Sequence, residues 1–363
     1  MLSYTSPVII ALDATPLTVS TGGVSRYTAE LARALAERYP EDQFWLLSDQ
    51  PFAMPAGAPE NLKQGSGPGT PLTRKWWLWG LQQEMMRRNV DLFHGTDFSV
   101  PYLPLRAGVM TLHDLSPWIH PEWQPDADRI RRRTPLLLRA GLAAMVITPT
   151  EAVRRAAMER FGLRAARVVA VPLAASEMYR PVERNPEVCP YFLFVGTMEP
   201  RKNLAMLVEA WREVRKSHPV DLVMAGRARR DFQPPADEPG LRVIGAVPET
   251  DLAALYSGAL AVVYPSWYEG FGLPVLEAMQ CGAVVITSRN PAVMEVAGGA
   301  ALHVEAGDAR GWKEALAGVC ESAEKFAELR ERAVKRSREF SWRSTAERTR
   351  EVYDAARRVF RKR

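Results

Sequence analysis

The feature that most constrains the fold is the alternation of short, β-branched apolar runs with helical patterns along all 363 residues. In the first half these runs lie at 8–13, 44–48, 91–94, 108–113, 145–149 and 168–172. In the second half they lie at 191–196, 221–225, 241–245, 260–264, 283–287 and 301–304. Continuous apolar strands separated by amphipathic helices predict parallel sheets covered on both faces. The sequence therefore predicts an α/β protein with two Rossmann-like units in tandem.

A polar, proline-containing stretch at 178–190 separates the two series of strands. It predicts an N-terminal domain over 1–177 and a C-terminal domain over 178–341. Proline and glycine cluster at 51–71, which predicts a long loop. Ligands of open α/β sheets bind outside the carboxyl ends of the strands, so two such domains are expected to face each other across a cleft.

Composition excludes few classes of protein. No apolar run approaches the roughly 20 residues of a membrane span, and the amino terminus lacks the basic region of a signal peptide. The three cysteines are far apart, which favours reduced thiols in the cytoplasm. A net charge of +5 is too mild to indicate nucleic-acid binding and fits a polyanionic ligand or an acidic membrane surface equally well.

The run YPSWYEGFGLPVLEAMQCG at 264–282 narrows the function most. A buried strand, a glycine turn and a helix start marked by Pro274 together predict an anion site, because backbone N–H groups and the positive end of the helix dipole point the same way. Glu269 and Glu277 flank this turn and could hold hydroxyl groups, as a nucleotide sugar would require. Each alone could be an ordinary surface acid, but the aromatic residues around them favour a pocket.

Arg201 and Lys202 directly precede a predicted helix, with Asn203 as its expected cap. Cations oppose the dipole at a helix amino terminus, so a fold that places them there usually needs their charge. The pair is expected to neutralise a diphosphate and to stabilise it as a leaving group.

In the first half, Gly22 and Gly23 open a predicted helix and would let a phosphate or sugar approach the backbone. His113 ends a predicted strand and is the best-placed histidine for catalysis, with His94 second. No metal site is evident. Asp126 and Asp128 superficially resemble a metal-binding pair, but the polar stretch around them favours acids at a helix start.

The segments 74–88 and 129–139 mix basic and bulky apolar residues. Each fits an interfacial helix that touches membrane or acceptor. Each also fits a core-facing helix with its arginines in solvent, and the sequence leaves both readings open.

Taken together, these residues resemble the family 4 glycosyltransferases, which are retaining enzymes with the GT-B architecture. The resemblance covers nearly the whole chain and rests most on the combination of GTMEPRKN at 196–203 with EGFGLPVLE at 269–277. It implies two Rossmann-like domains and a final helix, after Trp342, that crosses back onto the N-terminal domain.

The resemblance also implies roles for the site residues. His113 and Glu269 would contact the donor sugar near the reacting centre, and Glu277 would bind the ribose. The remaining donor-binding set would be Gly22, Gly23, Gly196, Arg201, Lys202, Phe271, Gly272 and Leu273. The implied reaction is transfer from a nucleoside diphosphate sugar with retention at the anomeric carbon and without a metal or other cofactor.

The form GTMEPRKN resembles bacterial members that build O-antigen or exopolysaccharide, which implies GDP-mannose as donor and a lipid-linked glycan as acceptor. The enzyme would then be cytoplasmic and peripheral on the inner membrane face. A UDP-sugar donor and a non-catalytic nucleotide-sugar-binding module stay open as alternatives, and a nucleic-acid partner is not expected.

Overall fold

The computed structural model describes residues 7–19, 22–67, 74–183, 189–230, 232–236 and 238–362. Parts of several expectations lie outside these residues: the first six residues, positions 20–21 before Gly22, positions 68–71 of the predicted loop and positions 184–188 of the predicted seam. The chain divides into two compact units, one formed by residues 1–173 and 342–363 and the other by residues 174–341.

Unit 1 is built on a parallel sheet of seven strands in the order β3-β2-β1-β4-β5-β6-β7. The strands are β1 Ile9–Asp13, β2 Gln43–Leu47, β3 Leu62–Gln64, β4 Leu92–Gly95, β5 Ala107–Thr111, β6 Met145–Thr148 and β7 Val168–Ala170. The order reverses between β1 and β4, and this reversal is the switch point at which open α/β sheets bind ligands.

Among the described residues, five α-helices precede the second unit in the chain: α1 Gly23–Arg38, α2 Leu81–Arg87, α3 Ser116–Ile119, α4 Asp128–Arg139 and α5 Glu151–Phe161. A π-helix, Trp76–Gly80, leads directly into α2. Helix α1 buries Tyr27, Leu31 and Leu35, the apolar face expected from the sequence.

The predicted strands of unit 1 are confirmed, but the prediction of an unbroken loop over 51–71 is wrong. Strand β3 lies within that segment and pairs in parallel with β2, with Phe44 opposite Leu62. It is three residues long and buries only Leu62, while Lys63 and Gln64 are exposed at the sheet edge. Such a short edge strand has too few buried positions to produce a readable apolar pattern.

Unit 2 holds a parallel sheet of six strands in the order β10-β9-β8-β11-β12-β13. The strands are β8 Tyr191–Val195, β9 Asp221–Ala225, β10 Leu241–Gly245, β11 Ala261–Tyr264, β12 Val285–Ser288 and β13 Leu302–Val304. All six follow the predicted runs. β8, β9, β11 and β12 are almost completely buried and therefore read as apolar segments. The switch point lies between β8 and β11.

The helices of unit 2 are α6 Leu204–Arg215, α7 Glu249–Gly258, α8 Leu273–Gln280, α9 Pro291–Ala297, α10 Ala309–Glu321 and α11 Ala327–Ser337. The last helix, α12 Trp342–Arg361, follows unit 2 in the chain but belongs to unit 1. There the Arg350 guanidinium lies 2.7 Å from the carboxylate of Asp42, and both side chains are buried. Among the described helices, none combines the length and apolar composition needed to cross a bilayer.

Candidate functional site

The candidate site of unit 2 lies where the strand order reverses. Arg201 and Lys202 follow β8 in a short 3-10 turn, and Glu269 follows β11, the strand paired with β8. Because the carboxyl ends of parallel strands meet at one edge of the sheet, the two segments come together although Lys202 and Glu269 are 67 positions apart in the chain. The fold therefore unites the two sequence patterns that were identified separately.

The Glu269 carboxylate bridges both cations. Its Oε2 accepts a hydrogen bond from Arg201 Nη1 at 2.8 Å, and its Oε1 accepts one from Lys202 Nζ at 2.6 Å. Arg201 Nη1 also donates to the Tyr268 carbonyl at 2.9 Å, while the Trp267 amide donates to the Arg201 carbonyl at 2.8 Å. The turn after β11 is thus bound to the turn after β8 through side chains and backbone.

Burial makes this cluster strongly electrostatic. Glu269 is 6% exposed and Lys202 4% exposed. Burial alone would raise the pKa of Glu269, but Arg201 and Lys202 lower it to about 2. Glu269 is therefore an ionised carboxylate at neutral pH and does not act there as a proton donor.

Lys202 is held by a second group as well. Its Nζ donates to the Tyr264 hydroxyl at 2.9 Å and lies 4.8 Å from the centre of that ring. Burial, together with Arg201, lowers the pKa of Lys202, and Glu269 opposes this change. The aromatic residue at the end of β11 thus orients the lysine beside the glutamate.

A further acid and a further cation extend the cluster. Glu199 Oε1 lies 2.6 Å from Arg201 Nε, and Glu199 Oε2 lies 2.8 Å from Arg229 Nη1. Three cations and two carboxylates give these five groups a net charge of +1. An anion that reaches Arg201 or Lys202 therefore meets a positive cluster that is already ordered.

Asn203 occupies the N-cap position of α6, as predicted, but its side chain does not make the capping hydrogen bond. Asn203 precedes α6 with φ 57° and makes no side-chain cap hydrogen bond. Its amide instead donates to the Ala306 carbonyl at 2.7 Å. Asparagine tolerates this left-handed conformation better than most residues, and its amide here ties the cation turn to the segment after β13.

The glycine turn before α8 holds the residues that were predicted to form an anion site. Gly272 precedes the helix with φ 93°, and Pro274 lies in its first turn. A Cβ on Gly272 would lie 3.3 Å from Val293 Cγ2, and the positive φ independently favours glycine. Phe271 and Leu273 are almost fully buried beside it. Pro274 has no N–H, and the Val275 amide donates to the Gly272 carbonyl at 2.9 Å. The backbone donors that this turn can offer to an anion are therefore those at Leu273 and the residues before it.

Glu277 lies inside α8 and is 1% exposed. Its Oε2 accepts a hydrogen bond from the Tyr256 hydroxyl at 2.7 Å. Glu277 is therefore not the ordinary surface acid that its position near a helix start could indicate.

Gly196 follows β8 with φ 149°, and its amide donates to the Ala225 carbonyl at 2.9 Å. The neighbouring Gly226 has φ 141°, and a Cβ there would lie 1.9 Å from the Gly196 carbonyl oxygen. These two glycines allow the ends of β8 and β9 to approach closely directly before the cation turn.

The candidate residues of unit 1 lie at the corresponding edge of its own sheet. Gly22 precedes α1 with φ 134°, and Gly23 is the first helical residue. Among the residues that the structure describes, nothing lies within 4 Å of a Cβ built on Gly22. The prediction that these glycines open a helix is confirmed. A ligand needs this free space beside the Gly22 backbone in order to approach it closely.

His113 lies two residues beyond the end of β5, so the expectation that it is the last residue of that strand is corrected. Its Nε2 lies 2.7 Å from the Thr96 carbonyl oxygen. A carbonyl only accepts, so Nε2 carries the proton and Nδ1 of the neutral ring keeps its lone pair. Burial lowers the pKa of His113, against the effects of the Thr96 carbonyl and of Asp114.

His94, the second candidate histidine, is fully buried at the end of β4. Its Nδ1 lies 2.8 Å from the Tyr353 hydroxyl and its Nε2 lies 2.8 Å from Thr111 Oγ1. Burial lowers the pKa of His94 to about 3, so the ring is neutral at physiological pH. Both ring nitrogens of His94 have partners within unit 1, so a direct contact with substrate is not supported.

Two acids that the motifs did not single out lie at or after the ends of β1 and β4, the two strands that directly precede β5 in the order of the sheet. Asp13 ends β1, and burial raises its pKa to about 7, although hydrogen bonds from Thr15 oppose the shift. Asp97 follows β4, and burial together with Asp114 raises its pKa to about 6. A polar residue at the end of an apolar strand run, as in IIALD, was the available signal for Asp13.

The two basic and apolar segments of unit 1 are partly exposed and contact each other. The Arg133 guanidinium of α4 lies 5.1 Å from the centre of the Trp77 ring in the π-helix. Trp76 is buried, but Trp79 is 46% exposed and Leu136 is 62% exposed. Each segment therefore contributes to the core on one side and presents a bulky apolar side chain on the other.

Comparison with protein families gives two adjoining matches. The model described as Glycosyltransferase Family 4 matches residues 21–177, and the model described as Glycosyl transferases group 1 matches residues 176–340. Together they extend over both units up to the start of α12.

Two of the curated relatives are bacterial O-antigen mannosyltransferases. The chain is 36% identical over 241 residues to the O-antigen chain mannosyltransferase B of Escherichia coli, an alignment that spans 60% of this chain and 62% of that protein. It is 26% identical over 252 residues to the O-antigen chain mannosyltransferase RfbU of Salmonella typhimurium, spanning 67% of this chain and 69% of that protein. The first alignment thus covers less than two thirds of the relative's length.

Solved structures share the fold at low identity. Sucrose-phosphate synthase from Thermosynechococcus elongatus superimposes with a TM-score of 0.74 at 19% identity, over 96% of this chain and 98% of that one. The Anabaena protein Alr3699/HepE, in complex with UDP and glucose, gives a TM-score of 0.71 at 18% identity, over 95% and 99%. These similarities establish the fold.

Proposed function

The chain belongs to the glycosyltransferases of group 1 and family 4, and on that premise we propose that it transfers a sugar from a nucleoside diphosphate sugar to a glycan acceptor. The observation that carries the proposal is the buried cluster of Arg201, Lys202 and Glu269 at the switch point of unit 2. Two ordered cations beside an ionised carboxylate match a ligand that joins a diphosphate to a polyol.

We propose that Arg201 and Lys202 bind the diphosphate of the donor. Charge-assisted hydrogen bonds are shorter and stronger than neutral ones, and they are worth most at atoms on which negative charge develops. During transfer the bond between the anomeric carbon and the phosphate oxygen breaks, and that oxygen gains negative charge. The two cations would stabilise the leaving nucleoside diphosphate without a bound metal.

The roles proposed for the other groups follow the same chemistry. Glu269 would contact hydroxyls of the donor sugar as an ionised acceptor, and Glu277 would bind the ribose. Backbone donors at Phe271, Gly272 and Leu273 would hold the sugar and the phosphates. Gly196 would keep side-chain atoms away from the ligand next to the cation turn.

From unit 1 we propose His113 as a contact to the transferred sugar, with the backbone at Gly22 and Gly23 approaching the diphosphate. The hydrogen bond from His113 Nε2 to Thr96 leaves Nδ1 as an acceptor for a hydroxyl group. Retention at the anomeric carbon is part of the proposal and follows from the family resemblance.

Mannose from GDP-mannose is the donor we propose, because O-antigen mannosyltransferases are among the curated relatives. A UDP-sugar is the second candidate, favoured by the UDP and glucose in the Alr3699/HepE structure of the same fold. A lipid-linked glycan is the proposed acceptor, in line with the O-antigen chains that those mannosyltransferase names specify.

We further propose that the enzyme is cytoplasmic and binds the inner membrane face peripherally through the π-helix and α4. Trp79 and Leu136 expose large apolar side chains, and exposed cations lie in the same segments, at Lys75, Arg129 and Arg132. Apolar anchors beside basic residues suit an anionic lipid surface.

The function is tested by incubating the protein with a panel of nucleotide sugars and undecaprenyl-linked glycan acceptors, and by measuring nucleoside diphosphate release. The proposal expects release with a mannose donor that depends on acceptor, and a product whose anomeric configuration equals that of the donor. Donor binding without release for every acceptor tried would instead favour a non-catalytic nucleotide-sugar-binding module.

A further inference from the structure

A chain of hydrogen bonds runs through the interior of unit 1 from the last helix to α1. The Tyr353 hydroxyl of α12 lies 2.8 Å from His94 Nδ1, and His94 Nε2 lies 2.8 Å from Thr111 Oγ1. Thr111 Oγ1 lies 2.9 Å from the Tyr27 hydroxyl. Each of these four side chains is at most 1% exposed.

The chain ends against the histidine of the candidate site. The Tyr27 ring meets the His113 ring edge-on, with centroids 4.8 Å apart and an angle of 84° between the planes. Phe98 meets His113 on another side at 6.1 Å, and the Phe98 amide donates to the Thr111 carbonyl at 3.0 Å. Thr111 therefore fixes one of these aromatic rings through its side chain and the other through its backbone.

Helix α12 contacts this chain at a second place. Trp342, the first residue of α12, has its ring 6.4 Å from that of Tyr27, while Tyr353 packs edge-on against His94 at 5.5 Å. The helix thus holds both ends of the buried chain, although it follows all of unit 2 in sequence.

We propose that Tyr353, His94, Thr111 and Tyr27 are positioning residues that fix the His113 ring, and that α12 is the element that locks them. Satisfied polar networks in a low-dielectric interior impose one arrangement, because each partner lost leaves another group unsatisfied. Neutral His94 has one N–H and one lone pair, so it connects a donor on one side to an acceptor on the other. The ordered Tyr27 ring then restricts His113 to the orientation in which Nε2 meets Thr96.

The expected effect on catalysis rests on the proposed function. The claim that the network fixes the His113 ring does not, and it can be tested without measuring turnover. The chain holds five histidines, so the imidazole signals of the ¹⁵N-labelled protein can be assigned with single His→Gln variants. Thr111→Val removes the hydroxyl shared by His94 and Tyr27, and Thr111→Ser restores it. Thr349→Val is the matched control, because Thr349 is a buried threonine of α12 whose hydroxyl has no hydrogen-bond partner among the described residues.

Thr111→Val is expected to shift the ring signals of both His94 and His113, whereas Thr111→Ser and Thr349→Val leave the His113 signals at their wild-type positions. In the transfer assay Thr111→Val should lower kcat about 10-fold with little change in the KM for donor, since small displacements of a positioned group cost 10- to 100-fold. Unchanged His113 signals in folded Thr111→Val would overturn the inference, even if transfer activity is present. An inactive wild type would contradict the proposed function and leave the spectroscopic test of the network intact.

Discussion

Replacing Glu269 by glutamine is the perturbation whose consequence the structure defines most fully. The substitution keeps the shape of the side chain and removes its charge, so Arg201 and Lys202 lose their shared carboxylate. Two neighbouring cations then remain in a site where Lys202 is 4% exposed. We expect the unliganded variant to be markedly less stable than the wild type.

The size of the expected loss of stability follows from the pKa of the Glu269 carboxyl. In the folded protein the pKa of Glu269 falls from 4.5 to about 2, because the attraction of Arg201 and Lys202 exceeds the cost of burial. At 1.36 kcal/mol per unit, this corresponds to about 3 kcal/mol of stabilisation by the ionised group. Removing one partner of a buried ion pair typically costs about 3–5 kcal/mol, which agrees with this value. For a unit of this size the midpoint should fall by about 6–12 °C.

The sign of the pH dependence follows from the same shift. A carboxyl whose pKa is lower in the folded than in the unfolded state stabilises the fold above its unfolded pKa. The stability difference between the wild type and Glu269→Gln should therefore be complete above about pH 5 and should vanish as the pH falls from 4.5 toward 2. Chemical unfolding over that range measures it.

A nucleoside diphosphate should restore part of the stability that Glu269→Gln loses. In Glu269→Gln the incoming phosphates replace the missing negative charge, so at equal ligand concentration GDP or UDP should raise the thermal midpoint of the variant more than that of the wild type. Glu213→Gln is the control, because Glu213 is an exposed acid of α6 that pairs only with Lys216 in the described contacts. If Glu269→Gln melts at the same temperature as Glu213→Gln, the account of a strongly coupled buried cluster is refuted.

Three further variants test other parts of the account. Gly226→Ala places a Cβ 1.9 Å from the Gly196 carbonyl oxygen, at a residue with φ 141°. Backbone strain alone should lower the free energy of unfolding in denaturant by about 1–3 kcal/mol. Wild-type stability would contradict the close packing of β8 and β9. Tyr256→Phe removes the hydrogen bond to buried Glu277 and should lower stability by about 1–3 kcal/mol, because a buried acceptor loses its donor. A neutral effect in the same assay would count against a contribution of this hydrogen bond to the packing of α8. Trp79→Ala should reduce sedimentation of the protein with vesicles of phosphatidylglycerol. The thermal midpoint should change by no more than a few degrees, since Trp79 is 46% exposed. Sedimentation equal to that of the wild type would exclude Trp79 as a membrane anchor.

Much of the fold could be predicted from the sequence, because buried parallel strands read as continuous apolar runs. The exception was β3, where Leu62 alone is buried and prolines and glycines surround it. The helix start at Pro274 could also be predicted, since proline and glycine act locally. At Asn203 a local rule failed, because this residue has φ 57° and its side-chain N–H donates to the distant Ala306 carbonyl.

The contacts within the candidate site could not be predicted, because they join residues far apart in the chain. The sequence offered Arg201 and Lys202 as cations for a diphosphate and Glu269 as a contact to hydroxyls. It did not indicate that the three would pair with one another across 67 and 68 positions. His94 was identified as a strand-end histidine, but its partner Tyr353 lies 259 positions away on α12.

The measurement that tests the central claim most directly is calorimetric titration with GDP, UDP and their parent nucleosides. The account predicts that the wild type binds one of the diphosphates far more tightly than the corresponding nucleoside, and that Arg201→Ala and Lys202→Met each weaken this binding about 10- to 100-fold. Lys216→Ala, an exposed cation at the end of α6, should bind like the wild type. Wild-type affinity for the diphosphate in both folded cation variants would contradict the assignment of Arg201 and Lys202 to the donor.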